Sequence, residues 1–217
     1  MDHINKKLRE LKTLEGPFPS LSLDSLPKSP YDLFLKWFES AVEADVRELH
    51  SMTLSTVDEN GYPDARILIL KNVDEDGWYF ASSSNSRKGL QIQNNPKVSL
   101  TFYWAAIGRQ VRIRGTAVDT GSEASAKDFL ERGKVARAIA LTGKQSTILN
   151  KKEQLEDEIS LQLNRINREP GLVCAEWTLY RVEADEAEFW QGDEERKHTR
   201  IHYSFTDGEW VRGLLWP

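Results

Sequence analysis

The sequence predicts an α+β fold, mainly antiparallel β, in which a small barrel of short strands carries peripheral and inserted helices. Three observations point there. Apolar and polar residues alternate with period two through several segments of strand length, hairpin-type turns separate many of them, and helical stretches interrupt the strands without a strand-helix-strand rhythm. A doubly wound parallel sheet is therefore not expected. With 217 residues and 39% hydrophobic content, the chain can bury a substantial core.

Residues 1–28 mix acidic and basic side chains with Pro17, Pro19 and Pro27, and read as an N-terminal arm with little structure of its own. The remainder, 29–217, reads as a single domain. Ser29 and Pro30 supply an N-cap and a first-turn proline, after which Leu33, Phe34, Trp37, Phe38 and Ala41 share one helical face. From Ser51 the period falls to two, with Met52, Leu54 and Thr56 alternating against Thr53 and Ser55. Asn60-Gly61 in "DENGYP" predicts a hairpin turn, and "DARILILKNV" is the returning strand. "DEDG" turns the chain into the strand "WYFAS", and a helix from about Ser86 stops before Pro96, because proline disfavours helix at the residue preceding it. "KVSLTFYW" and "RQVRIRGTAV" alternate again. Residues 122–165 read as helical stretches. Strands return in "LVCAEWTLYRVEADEAEFW", "RIHYSF" and "EWVRGLLW", with Asp207-Gly208 turning between the last two.

Composition narrows the function classes. Lysine and arginine total 29 against 34 acidic residues, a formal charge of -5, so the overall field disfavours nucleic acid while leaving room for local phosphate sites. Cys174 is the single cysteine, which excludes an internal disulfide and a multi-cysteine metal centre. No N-terminal stretch resembles a signal peptide and no apolar run reaches the roughly 20 residues of a membrane span, so a cytoplasmic protein without membrane or nucleic-acid partners is expected.

Several residues are candidates for chemistry. Arg87 and Lys88 stand at a helix start, where the backbone dipole already carries positive charge, and they read either as a solvated turn or as a phosphate site. Lys71 ends the apolar run "RILILK" that Arg66 begins; it reads either as an edge cation that deters aggregation or as a ligand contact. Strict alternation sets Arg66 and Lys71 on opposite faces. Gln110, Arg112 and Arg114 share a strand face, and Gln145-Ser146 follows a helical stretch. The segment "FWQGDEERKHTRIHY" concentrates Trp190, Arg196, His198 and Arg200 in a chain with four histidines. Cys174 in "LVCAEW" reads as an inert core-strand cysteine, and His198 with His202 lacks a third ligand, so no metal site is expected.

"RILILK", "NSRKGLQIQNNPKVSL", "RQVRIRG", "GKQS" and "FWQGDEERKHTR", in that order, resemble the FMN-dependent pyridoxamine 5'-phosphate oxidases, and the resemblance runs from about Leu26 to Pro217. It implies a split β-barrel and a homodimer with flavin at the subunit interface, an arrangement that would remove the conflict between Arg66 and Lys71. Arg66, Lys71, Arg87 and Lys88 then correspond to FMN phosphate and flavin contacts, with Ile67, Ala81 and Ser82 along the same site. Gln110, Gln145, Ser146, Trp190 and Arg200 resemble the remaining cofactor positions. Arg196 and His198 fall on the family's Arg-x-His pair, which orients the pyridine ring of the substrate while its C4' carbon gives hydride to flavin N5. Oxygen then takes the electrons and leaves as hydrogen peroxide. Lys71 and Arg132 join that pair as implied substrate contacts.

Two features depart from the pattern. The family grips the substrate phosphate with Tyr, Arg and Ser, where this chain aligns Asp128, Arg132 and Ala136, and an Asp is expected to repel a phosphate dianion. "GPFPSLSLDSLPKSP" and "FYW" also resemble the phenazine-biosynthesis branch, which acts on dihydro-phenazine acids. The expected function is thus an FMN-dependent oxidase of pyridoxamine or pyridoxine 5'-phosphate. The alternatives are a divergent flavin oxidase on a dihydro-aromatic acid, and a non-catalytic flavin- or haem-binding split barrel.

Overall fold

A computed structural model describes residues 2–12 and 14–217. In chain order, α1 (Asp2–Glu10) and α2 (Pro30–Glu43) precede β1 (Ser51–Val57), β2 (Pro63–Ile69), β3 (Asn72–Asp74) and β4 (Gly77–Ser83). Then come α3 (Arg87–Asn94), β5 (Lys97–Trp104), a 3-10 turn and β6 (Arg109–Asp119). Three helices follow, α4 (Ser122–Glu131), α5 (Lys134–Leu141) and α6 (Lys152–Arg168), before β7 (Trp177–Gln191), β8 (Thr199–Thr206) and β9 (Glu209–Leu215). The residues form two compact units. One comprises Met1–His50, Thr101–Ile113 and Glu186–Pro217; the other comprises Ser51–Leu100 and Arg114–Asp185.

The strand order is β2-β1-β5-β6-β7-β4-β3. β1 and β2 pair antiparallel with Leu54 opposite Arg66 and Thr56 opposite Asp64, and β4 pairs antiparallel with β7. The hairpin between β1 and β2 forms as expected: Gly61 takes φ +82°, a backbone region costly for other residues, and the Asp58 carboxylate accepts from the Asn60 and Tyr62 N–H groups. Met52, Leu54 and Thr56 are buried, as the alternation requires. Ser86 caps α3 by accepting from the Gly89 N–H at 3.2 Å. Gly89 must be glycine, since an added Cβ would clash with the Ser83 and Ser84 carbonyl oxygens.

In the first unit α2 starts at the Ser29 cap, and its buried face of Leu33, Phe34, Trp37 and Ala41 meets aromatic partners. Phe34 packs on Phe102 at 5.1 Å, Trp37 on Phe189 at 5.2 Å and Phe189 on Tyr203 at 5.8 Å. Each such pair adds about 0.5 to 1.5 kcal/mol to the area it buries. β8 pairs antiparallel with both β7 and β9.

Three expectations change. The arm is not without structure: α1 occupies its start, and Pro27 O accepts from the Tyr203 hydroxyl at 2.9 Å. Met1 and Thr13 of that arm lie outside the described residues. The strand expected from Leu172 begins only at Trp177, because turns occupy the segment before it: Leu172 N–H bonds the Glu169 carbonyl and Trp177 N–H the Cys174 carbonyl, both at 3.0 Å, while the Arg137 guanidinium takes the Pro170 and Leu172 carbonyls at 2.7 and 2.8 Å. Cys174 is buried, but it lies in the turn before β7. Finally, Arg66 and Lys71 do not share one strand. β2 ends at Ile69, and Lys71 N–H bonds the Tyr79 carbonyl at 2.8 Å, so period two no longer governs its direction.

Candidate functional site

In the second unit, β1, β2, β4 and α3 bring together three cations and one carboxylate. Arg66 donates to Thr56 Oγ1 at 2.6 Å and pairs with Asp64 at 2.7 Å; Gln91 accepts from the Thr56 hydroxyl and donates to Asp64. Asp64 also receives Arg87 Nε at 3.3 Å. The Gln91 bond holds its carboxyl below the usual carboxylate range, against the effect of burial and with help from Arg66 and Arg87. Lys88 is different. It is 7% exposed, and its Nζ donates to Ser82 Oγ at 3.0 Å and Ser86 Oγ at 3.2 Å, with no carboxylate in contact among the described residues. Burial, and next the Arg66 charge, push this ammonium below an ordinary lysine. Three cations against one carboxylate leave two positive charges at a helix N-terminus, a built receptor for an anion.

Ser82 also lines a cleft of about 1100 Å³ in this unit, together with Ile67, Lys71, Ala81, Gln145 and Arg132. The walls between these polar groups are apolar, with Ile139, Leu155 and Trp177 among them. Arg132 Cζ sits over the Trp177 ring, 4.0 Å from its centroid, and burial lowers its guanidinium from the ordinary arginine value while Asp128 opposes that shift. Asp128 is buried beneath these residues, paired with Lys71 Nζ at 3.0 Å and accepting Trp177 Nε1–H at 2.8 Å. The repulsion expected of Asp128 is thus met by a cation already in place. Ala136 lines the cleft without a polar group to offer.

The first unit holds Gln110, Trp190, Arg196, His198 and Arg200, and Ser146 belongs to the second. Trp190 stacks at a tilt on His198, 4.7 Å between ring centroids. His198 Nδ1 accepts from the Asp193 N–H at 3.1 Å, which leaves the ring hydrogen on Nε2. The Asp193 carboxylate accepts from the Glu195 and Lys197 N–H groups, and this turn fixes Arg196 at φ +65°, a conformation unfavourable for a non-glycine residue. Arg200 is opposite Trp190 across β7 and β8; its Nε donates to Glu188 at 2.8 Å and its guanidinium also bonds the Trp216 carbonyl. Glu188, 5% exposed, also pairs with Arg112 at 3.0 Å. Burial alone would raise its carboxyl, but the Arg200 bond and the Arg112 and Arg200 charges outweigh that and hold it low. Gln110 is half-buried on β6, and Ser146 lies in the α5–α6 loop at φ +72°.

The structure therefore gathers Arg66, Ser82, Arg87 and Lys88 into one cluster, and Ile67, Lys71, Ala81, Gln145 and Arg132 around one cleft. Trp190, His198, Arg196 and Arg200 form a second group in the other unit. The sequence patterns did not single out Asp64, Gln91, Asp193 or Glu188. Asp64 lies two residues before Arg66 on the same strand face, and Glu188 two before Trp190, so the spacing held a signal. Gly192-Asp193 is likewise a turn pair.

Residues 38–161 match the family described as "Pyridoxamine 5'-phosphate oxidase", and residues 177–217 match the "Pyridoxine 5'-phosphate oxidase C-terminal dimerisation region". A pyridoxine/pyridoxamine 5'-phosphate oxidase of Legionella pneumophila (strain Paris) is 34% identical over 97% of this chain and 99% of its own. The protein of that name from Paraburkholderia phytofirmans is 38% identical over 91% of this chain and 93% of its own. Among solved structures, PhzG from Burkholderia lata 383, in complex with tetrahydrophenazine-1-carboxylic acid, superposes with a TM-score of 0.85 at 28% identity, covering 93% of this chain and 100% of that one. The fold is thus the expected α+β split barrel.

Proposed function

The chain belongs to the pyridoxamine 5'-phosphate oxidase family, and from that premise we propose that it is an FMN-dependent oxidase acting on pyridoxamine and pyridoxine 5'-phosphate. The observation that carries the reading is Lys88, a buried ammonium that, among the described residues, bonds two serine hydroxyls and no carboxylate, beside Arg66 and Arg87. A buried cation without an anion is costly, and the phosphate of FMN fits the need. FMN bound there would supply the redox chemistry, a two-electron oxidation of the substrate coupled to reduction of O2 to H2O2.

Arg66, Arg87, Lys88 and Ser82 hold the cofactor phosphate by charge-assisted hydrogen bonds. Ile67, Ala81, Gln145 and Ser146 border the ring system, and Lys71 meets both flavin and substrate. Gln110, Trp190 and Arg200 complete the cofactor contacts. Arg196 and the Nε2–H of His198 orient the pyridine ring, and Arg132 takes the anionic end of the substrate. The working form is a cytoplasmic homodimer with the flavin at its interface, in which 29–217 is one FMN-binding domain and 1–28 an arm. The match of residues 177–217 to a dimerisation region supports this, as do Val211 and Trp216, exposed at 56% and 91%.

A second reading has an observation of its own. Asp128 and Ala136 weaken the phosphate grip, and the resemblance to PhzG covers nearly the whole chain. In that reading the substrate is a dihydro-aromatic acid.

Denaturing the purified protein should release FMN, near one per subunit, and pyridoxine 5'-phosphate should bleach the native flavin absorbance anaerobically. A colourless protein that also fails to take up FMN overturns the cofactor assignment. Bleaching by a dihydro-aromatic acid and not by either B6 phosphate overturns the substrate.

A further inference from the structure

Asp128 occupies a position that decides how much charge the cleft shows to a ligand. Its carboxylate is buried and used on both oxygens, Oδ1 by Lys71 Nζ at 3.0 Å and Oδ2 by Trp177 Nε1–H at 2.8 Å. Lys71, Trp177 and Arg132 all line the cleft, whereas Asp128 stands behind them. The indole that Asp128 anchors is the platform on which the Arg132 guanidinium lies, 4.0 Å away. Arg132 Nε is itself buried without a hydrogen-bond partner among the described residues.

Around Trp177, two cations backed by one fixed carboxylate leave a single positive charge for an incoming anion; elsewhere on the lining Lys144 is paired with Glu158, and Asp157 adds a further acidic group. Position 136, an alanine, adds no hydroxyl to hold an anion beside Arg132. A phosphate dianion would be compensated by half there, and Lys71 cannot turn to it without giving up Asp128. A carboxylate or a singly protonated phosphate ester matches the charge.

We propose that Asp128 is a specificity-determining residue that sets the cleft to accept singly charged oxyanions over dianions, by holding Lys71 back and fixing Arg132 on Trp177. The proposal rests on the reading that the anionic end of the substrate enters this cleft beside Arg132.

The test is Asp128→Asn in the FMN-loaded protein, with the flavin phosphate site already filled. The amide oxygen can still accept from Trp177 while the charge is gone. Binding of inorganic phosphate and of benzoate is measured by calorimetry, and binding of pyridoxal 5'-phosphate across the phosphate ionisation near pH 6. The affinity ratio of phosphate to benzoate should rise about tenfold. Pyridoxal 5'-phosphate should weaken on wild type as pH rises through that ionisation and should tighten on the variant.

Asp128→Glu keeps the charge and should keep the wild-type ratio. Lys71→Met, which leaves Asp128 uncompensated, should move the ratio the opposite way and serves if Asp128→Asn does not fold. Damage to packing would weaken every ligand, so a tightened dianion is a change that a merely structural role does not produce. An unchanged or lower ratio in Asp128→Asn, or an unchanged ratio in Lys71→Met, overturns the proposal even if B6 phosphates are turned over. If B6 phosphates are neither bound nor oxidised but the phosphate-to-benzoate ratio rises in Asp128→Asn, the substrate reading fails and the role of Asp128 stands.

Discussion

Two clusters of arginine and lysine behave in opposite ways. Around Lys88 the second unit gathers Arg66, Arg87 and Lys88 against the single carboxylate of Asp64, and among the described residues one of those cations, Lys88, bonds only hydroxyls. Around Glu188 the first unit matches Arg112 and Arg200 to a buried carboxylate, with Glu186 3.4 Å from His202 beside it. The first cluster is out of balance and receptive; the second is close to neutral and self-satisfied. Charge density alone thus does not mark a phosphate site. What marks it is a buried cation whose partners cannot neutralise it.

The largest effect should come from breaking the balanced cluster. Glu188→Ala strands two arginines and should cost about 2 to 4 kcal/mol of unfolding free energy, less than a fully dry pair because the Arg112 and Arg200 side chains keep 41% and 29% exposure. Urea titration of the FMN-free protein measures it. A loss within experimental error would mean that the cluster near Glu188 is a solvated surface and that the contrast with Lys88 is false.

Lys88→Met should do the reverse. Removing an uncompensated cation should leave the FMN-free protein as stable as wild type, or up to about 1 kcal/mol more stable. FMN affinity should fall about ten- to a hundredfold, since one charge-assisted bond contributes roughly 1.5 to 3 kcal/mol. Unaltered affinity in a folded Lys88→Met protein would mean that Lys88 is not a phosphate contact.

How much of this was legible follows from which residues speak locally. Alternation at Met52, Leu54 and Thr56, the Asn60-Gly61 turn and the Ser86 cap are decided within a few residues, and each formed where the pattern put it. The helix α1 was hidden although Ile4, Leu8 and Leu11 keep helical spacing, because its charged composition and the following prolines favoured a structureless reading. Partners distant in sequence were not legible. Nothing local tells that Lys71 will meet Asp128, 57 positions on, or that Arg137 will claim the carbonyls ahead of β7. Glu188 sits among the polar positions of the strand "TLYRVEADEAEFW", and only the fold puts Arg112 and Arg200 beside it.

The smallest effect tests the imbalance most directly, through pH. Burial and the Arg66 charge lower the Lys88 ammonium in the folded protein, so between its folded and unfolded values the unfolded chain binds more protons. Stability of the FMN-free protein should therefore gain a contribution from Lys88 as pH rises through the folded value toward that of an ordinary lysine. FMN affinity should move the other way over the same interval, because the proton lost is the one that binds the phosphate. Glu188 gives the opposite limb: its carboxyl is held low, so its contribution is complete above the unfolded carboxylate value and is lost as pH falls through the lower folded one. Urea titrations and flavin fluorescence titrations from about pH 8 to 10, taken as differences between wild type and Lys88→Arg, isolate the Lys88 contribution, since arginine stays charged throughout. Slopes of the same sign for stability and affinity would show that Lys88 is already neutralised in the empty site. Lys88 would then have no claim to be the group that FMN completes.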